Sequence, residues 1–119
     1  MSRDSRLYLD DILEAAKAIK SYLEGVSRKS LDSDGRTRDA VIRNLEVIGE
    51  AIKQIPSALT ERRPEVDWSG FARMKNILLH QYFGVDLDII WSAVTTELPG
   101  LEAAARAIRE GMGKNGGSE

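Results

Sequence analysis

Apolar residues recur at helical spacing in the first part of the chain, with polar residues between them. The apolar positions of this first segment are Leu9, Ile12, Leu13, Ala16, Ile19 and Leu23. Their spacing predicts an amphipathic helix from Asp4 to about Glu24, with Gly25 as its C-terminal stop. The next stretch, from Ser27 to Gly35, is polar and rich in turn residues, with room for one helical turn.

A second helix is predicted from Arg36 to Ile55, where Pro56 ends it. Its apolar seam suits packing against other helices and consists of Val41, Leu45, Ile48, Ile52 and Ile55. A second stripe has the same spacing but carries charges of both signs. We call it the charged stripe, and it consists of Asp39, Arg43, Glu46, Glu50 and Lys53. Gly49 costs about 1 kcal/mol relative to alanine at this position, which close approach of another helix would offset.

The second half of the chain has the same helical character. Ser57 to Trp68 is predicted to be a loop with a short helical turn at Ala58–Arg62. Asp67 or Ser69 then caps a third helix, which runs to about Phe83 and ends at Gly84. Asp86 caps a fourth helix through Leu98, Pro99-Gly100 breaks it, and Leu101 to about Met112 forms a fifth. No strand pattern appears, so the sequence predicts an all-α, up-and-down bundle of four to five helices.

Composition narrows the class of protein. The 119 residues suggest one domain, which we expect over residues 1–112, followed by a disordered tail over residues 113–119. The absence of cysteine excludes disulfides and thiolate metal sites. A net charge of −2 argues against a protein that coats nucleic acid by bulk charge. No apolar run approaches the ~18 residues that span a bilayer, so we expect a soluble, cytoplasmic protein without a membrane partner.

Candidate chemistry concentrates on the third helix, which carries His80, the only histidine of the chain. Arg73 and Asn76 precede it by seven and four residues, which places all three on one helix face. Lys75 points roughly 140° away from His80. A lone histidine is more often a structural hydrogen-bonding residue, and a tyrosine such as Tyr82 often simply packs near a helix end.

These residue types suit metal-independent cleavage of RNA by attack of the 2′-hydroxyl on the adjacent phosphate. Histidine gains and loses a proton near neutral pH, and arginine offers a planar fork that matches phosphate. Such cleavage gains from both a base and an acid. Because each chain has one histidine, a two-fold homodimer would supply the pair at one cleft. Glu46 and Glu50 could instead hold a metal, but Arg43 and Lys53 can pair with them, so no metal site is expected.

Many positions in register resemble the HepT-like toxins of the HEPN superfamily, from Arg3 to about Pro99. The matching stretches are Arg3-Asp4, Leu9 to Ala15, Asp39 to Glu46, Ile48 to Ala51, Pro64, Trp68, Asn76, His80 to Asp86, Trp91 and Leu98-Pro99. The resemblance implies a homodimeric HEPN-like helical bundle that acts as a ribonuclease toxin on RNA. It also implies a partner, an MntA-like minimal nucleotidyltransferase antitoxin, which transfers AMP from ATP to a tyrosine. The toxin itself is expected to need no cofactor.

The resemblance also implies roles for individual residues. His80 matches the catalytic histidine, Tyr82 the tyrosine that accepts AMP, and Asn76 a supporting polar residue. Many relatives have arginine directly before that asparagine, where this chain has Lys75. Arg73 lies within the spacing that the family allows and shares the face of His80, so it is the preferred cation, with Lys75 as the alternative.

Two other functions stay open at this point. The chain could be a non-catalytic helical partner that presents Tyr82 to a nucleotidyltransferase, which the Lys75 departure and the acidic net charge would favour. It could also be a structural bundle that dimerises for stability, although this leaves the polar face of the third helix unexplained.

Overall fold

The computed structural model describes residues 3–80 and 86–112, with the backbone alone at residues 75–77, 79 and 80. Its elements are α1 (Ser5–Tyr22), α2 (Arg28–Ser33), α3 (Gly35–Gln54), α4 (Ser57–Thr60), α5 (Trp68–His80), α6 (Leu87–Ser92), a π-helical turn (Ala93–Glu97) and α7 (Leu98–Met112). No strand occurs among the described residues. The predicted all-α class is confirmed. The boundary between a domain and a tail stays a prediction, because residues 113–119 lie outside the described part.

An aspartate side chain caps the N-terminus of each of the first two long helices, α1 and α3. The Asp4 carboxylate accepts a hydrogen bond from the Arg6 backbone N–H at 2.8 Å and caps α1. Asp34 caps α3 by accepting from the Thr37 N–H at 3.1 Å, and the Thr37 hydroxyl donates to the same carboxylate. Because these hydrogen bonds stabilise the ionised form, they lower the pKa of Asp34. The starts predicted from the sequence agree with the observed ones within a residue.

The apolar seam of α3 is buried as predicted and forms the centre of the core. Leu45 and Ile48 of the seam are almost fully buried. Gly49, which follows Ile48, is buried too. Helix α3 packs against α1 on one side and against α5 on another, and α7 packs on α1. Leu9, Ile12 and other buried residues of these helices belong to one continuous hydrophobic cluster.

Charged groups join α7 to α1 at the edge of this core. Lys20 donates to Glu102 at 2.7 Å, and Glu102 is only 7% exposed. Arg109 of α7 also donates to Asp10 of α1 at 3.0 Å. A carboxylate as buried as that of Glu102 needs such a partner, because burying an unpaired charge is costly. The two contacts therefore fix how α7 lies on α1.

The predicted helix break at Pro99-Gly100 is wrong. The chain stays helical from Leu87 to Met112, and Pro99 lies in the first turn of α7. Before it, the turn from Ala93 to Glu97 widens into a π-helix, in which the Leu98 N–H donates to the Ala93 carbonyl five residues earlier. Such a turn leaves one carbonyl without an amide partner, so proline, which lacks an N–H, can follow without ending the helix.

None of the helices in the described residues is both long and apolar enough to cross a membrane.

Candidate active site

Helix α5, which carries most of the candidate residues, has a firmly fixed beginning. The Asp67 carboxylate accepts a hydrogen bond from the Gly70 N–H at 3.0 Å, which confirms Asp67 as the cap. Trp68, the first residue of the helix, is buried and donates from its indole Nε1 to the Arg63 carbonyl at 2.9 Å. Phe71 is buried one turn into the helix. The apolar face of α5 is thereby held on the core.

Glycine at position 70 makes room for this cap. A Cβ atom built on Gly70 would overlap the carboxylate of Asp67. Any larger residue would therefore displace the capping side chain. No sequence pattern reveals this dependence, because it arises from the position of the Asp67 side chain over Gly70.

Arg73 lies on the exposed side of α5, as its predicted role requires. Its guanidinium Nη1 lies 3.1 Å from the Ser69 hydroxyl one turn earlier and donates to it. Arg73 forms no salt bridge within the described part of the chain. Most of its donors therefore remain available for an anion such as phosphate. Ser69, which the sequence suggested only as a cap, has the role of holding this arginine.

A small apolar cleft lies directly beside Arg73, between α5 and α6. Its volume is about 160 Å³, and it is lined by Gly70, Arg73, Met74, Leu78, Asp86, Ile89 and Ile90. Ile89 is 59% exposed and contributes apolar surface to the cleft. Asp86 caps α6 by accepting from the Asp88 N–H at 2.8 Å, as predicted. The cleft thus has a largely apolar lining with one cationic side chain, Arg73, and one anionic side chain, Asp86.

The other candidates of the third helix are placed by backbone alone. Lys75, Asn76 and His80 all belong to α5, which is continuous from Arg73 to His80. The prediction that Arg73, Asn76 and His80 lie on one helix is therefore confirmed. The Cα atoms of Arg73 and His80 are about 10 Å apart along the helix axis. The roles of all four residues stay predictions. Tyr82 lies outside the described residues, so its role as AMP acceptor stays a prediction too.

A larger cleft, of about 290 Å³, lies elsewhere, on the outer side of α3. Arg43, Glu46 and Glu50 line it together with Arg3, Tyr8 and Asp11. Arg3 donates to Asp11 at 2.6 Å and lies over the Tyr8 ring. In the described part of the chain, no group of three or more histidines or carboxylates is arranged to hold a metal ion.

The sequence pattern of a known family covers most of this chain. The family described as Ribonuclease HepT-like matches residues 12–108. The chain belongs to this family. The HepT-like resemblance that the motifs indicated is therefore confirmed, and with it the enzyme class, since the family is one of ribonucleases.

Individual relatives of this HepT-like chain agree with the family match. Probable ribonuclease HepT of Thermococcus cleftensis is 38% identical over 110 residues, which are 92% of this chain and all of that protein. Putative RNase MJ0127 of Methanocaldococcus jannaschii is 41% identical over 97 residues, 82% of this chain and 80% of that protein. A third relative, from the same organism, is named Gamma-glutamylcyclotransferase and putative RNase MJ0434 and is 37% identical over 115 residues. That match covers 97% of this chain but only 52% of the relative, so this chain spans about half of the relative's length. No solved structure matches the chain.

Proposed function

We propose that the chain is a metal-independent endoribonuclease that acts as a homodimer and is the toxin of a toxin–antitoxin module. The observation that carries the proposal is the family match over residues 12–108, which includes the whole of α5. Arg73 supports it, because this exposed arginine has no carboxylate partner in the described residues and lies beside a cleft. RNA is the substrate, and its phosphate is the group that Arg73 would bind.

The chemistry follows from the residue types of α5. One histidine takes the proton of the 2′-hydroxyl, and the hydroxyl oxygen attacks the neighbouring phosphorus. A bond from O2′ to phosphorus forms while the bond from phosphorus to O5′ breaks, which leaves a 2′,3′-cyclic phosphate. The His80 of the second copy gives a proton to the leaving O5′. Arg73 stabilises the charge that develops on the phosphoryl oxygens.

Regulation is the second part of the proposal. The partner is an MntA-like nucleotidyltransferase antitoxin, which transfers AMP from ATP to the Tyr82 hydroxyl with release of pyrophosphate. A nucleotide two residues from His80 adds bulk and negative charge, and both oppose binding of an RNA phosphate.

The test of cleavage uses purified protein, mixed RNA and a chelator. We expect products with 2′,3′-cyclic phosphate ends, and we expect His80→Ala to lose cleavage while keeping the helical circular dichroism of the parent. Arg62→Ala, an exposed arginine outside α5, is the control and should cleave like the parent. Retained cleavage by His80→Ala contradicts the role of His80. No cleavage by the parent on any RNA favours the non-catalytic partner function instead.

The test of regulation incubates the protein with an MntA-like nucleotidyltransferase and ATP. We expect the mass of AMP on the peptide that contains Tyr82 and loss of RNA cleavage. Tyr82→Phe should gain no mass and should stay active in the presence of the antitoxin. Modification at a different residue would refute this part of the proposal alone.

A further inference from the structure

The cleft between α5 and α6 carries two opposite charges, and the chemistry proposed above uses only one of them. Arg73 and Asp86 both line the cleft. Neither side chain forms a salt bridge, with the other or with any group among the residues that the structure describes. Oppositely charged neighbours do pair elsewhere on the surface, as Arg28 and Asp32 do at 3.0 Å. Both charges of the cleft are therefore available to a ligand.

The Asp86 carboxylate is held in place without using up its capacity as an acceptor. Its Oδ1 atom accepts from the Asp88 N–H at 2.8 Å. An ionised carboxylate has about four acceptor positions on its two oxygens, so other donors can still bind. The nearby carboxylate of Asp88 differs, because it accepts from the Arg28 side chain of α2 at 2.7 Å. Of these two aspartates, Asp86 is the one that lines the cleft.

The apolar walls of the cleft suit one flat ring. They are formed by Met74, Leu78, Ile89 and Ile90. Leu78 and Ile90 are almost fully buried, whereas Ile89 is largely exposed, so the cleft is open to solvent on its side. An apolar cavity of about 150 Å³ holds one benzene molecule. The cleft measures about 160 Å³, so it has room for a planar ring but not for the side of a helix.

A nucleotide combines the three groups that these surfaces would bind. Its phosphate suits Arg73, the faces of its base suit the apolar walls, and N–H groups on the base edge suit Asp86. Guanine matches a carboxylate best, because its N1–H and its N2 amino group are adjacent donors that can meet both oxygens. Adenine and cytosine instead place an acceptor beside their amino group, which a carboxylate repels. Uracil has a single N–H between two carbonyls.

From this arrangement we propose that the cleft between α5 and α6 is a guanine subsite, in which Asp86 selects the base next to the phosphate that Arg73 binds. The inference rests on the proposed function, since it takes RNA as the ligand. It adds a base preference to that function and gives Ile89 the role of an apolar wall that any base would contact. The residues that line the subsite belong to one chain, so base selection does not depend on a second copy.

Oligonucleotides that resist cleavage test the subsite separately from catalysis. In 2′-O-methyl RNA the hydroxyl that would attack the phosphate is blocked, so binding can be measured at equilibrium. The set consists of the 2′-O-methyl pentanucleotides UUGUU, UUAUU, UUCUU and UUUUU, each with a fluorescent label. Fluorescence anisotropy should show that the parent binds UUGUU about tenfold more tightly than the other three, as expected for a two-point contact to one base.

Three variants separate base selection from a structural role of the same residues. Asp86→Asn keeps an oxygen that can cap α6 but replaces one acceptor by a donor, so it should lose the preference for UUGUU. A purely structural role of Asp86 would instead weaken binding of all four alike and leave the preference in place. Ile89→Ala should weaken all four alike, because it removes apolar contact. Asp88→Asn is the matched control, the same change at an exposed residue outside the cleft, and should keep the parent's preference.

Cleavage of random-sequence RNA gives the second readout and separates this inference from the proposed function. Sequencing of the products should find guanine enriched at one position beside the cut for the parent and not for Asp86→Asn. Cleavage without this enrichment would overturn the subsite and leave the ribonuclease proposal standing. A parent that binds the four pentanucleotides equally, or binds none, would overturn the subsite as well. If UUGUU is preferred through Asp86 but the parent cleaves no RNA, the subsite stands and the ribonuclease proposal fails.

Discussion

The side of the molecule built from α1, α3 and α7 differs sharply from the side where α5 meets α6. On the first side, Leu9, Ile12 and Ile48 are fully buried, and ion pairs join α1 to α7. On the second side, Arg73 is exposed, Ile89 is 59% exposed and a cleft of about 160 Å³ remains open. The first side therefore provides stability, and the second is the side on which we propose that RNA binds.

The largest expected effect is a difference in unfolding free energy between two isoleucine-to-alanine substitutions, one on each side. Ile48→Ala should lower the free energy of unfolding by about 2–5 kcal/mol, because it leaves a cavity at a residue that is 0% exposed. Ile89→Ala should change it by no more than about 0.5 kcal/mol. Urea denaturation measures both. Equal losses for the two variants would mean that the sides do not differ in packing.

The next prediction concerns activity on the open side. Arg73→Ala should slow RNA cleavage by about 100-fold or more, because the phosphate loses a donor where charge develops. The unfolding free energy should stay nearly unchanged, since the side chain is exposed and its hydrogen bond within the described residues is to the exposed Ser69. Lys75→Ala is the matched control and should leave the rate nearly unchanged. The reverse ranking in single-turnover kinetics would assign Lys75 as the functional cation.

A smaller effect is expected where α5 begins. Asp67→Ala should cost about 1 kcal/mol through loss of the cap. Gly70→Ala should destabilise the parent, because the new Cβ overlaps the Asp67 carboxylate. In the Asp67→Ala background the same change should stabilise, since alanine is the better helix former once the space is empty. Thermal denaturation of the four proteins checks this, and an unchanged sign would show that the overlap has no consequence.

The smallest effect belongs to Asp4, which caps α1 on the side built from α1, α3 and α7. Hydrogen bonds from the Arg6 side chain and backbone lower the pKa of this carboxyl from 3.8 to about 2. Its contribution to stability is therefore present above pH 3.8 and is lost as the pH falls towards 2. Asp4→Asn keeps a capping side chain but removes the titration, so its melting temperature should fall less over this range. Identical pH profiles of the variant and the parent would contradict the role of Arg6.

The sequence predicted the helices well because their signals are local. Caps such as Asp67 and Asp86 act within three residues, and the apolar seam of α3 needs only its own spacing to be recognised. For the same reason, Arg73 and His80 could be placed on one helix before any tertiary contact was known. The family resemblance added roles that spacing alone does not provide.

Other features were decided by the tertiary structure. Pro99 predicted a break, but the π-helical turn before it lets the helix continue, and Ala93 and Val94 of that turn are buried in the interior. The Asp67 carboxylate fills the space over Gly70, and Ser69 holds Arg73, through side-chain positions that no periodicity encodes. Local hydrogen bonds and periodicity thus determined the elements of this protein. Packing decided how those elements join, what they expose and where the open cleft lies.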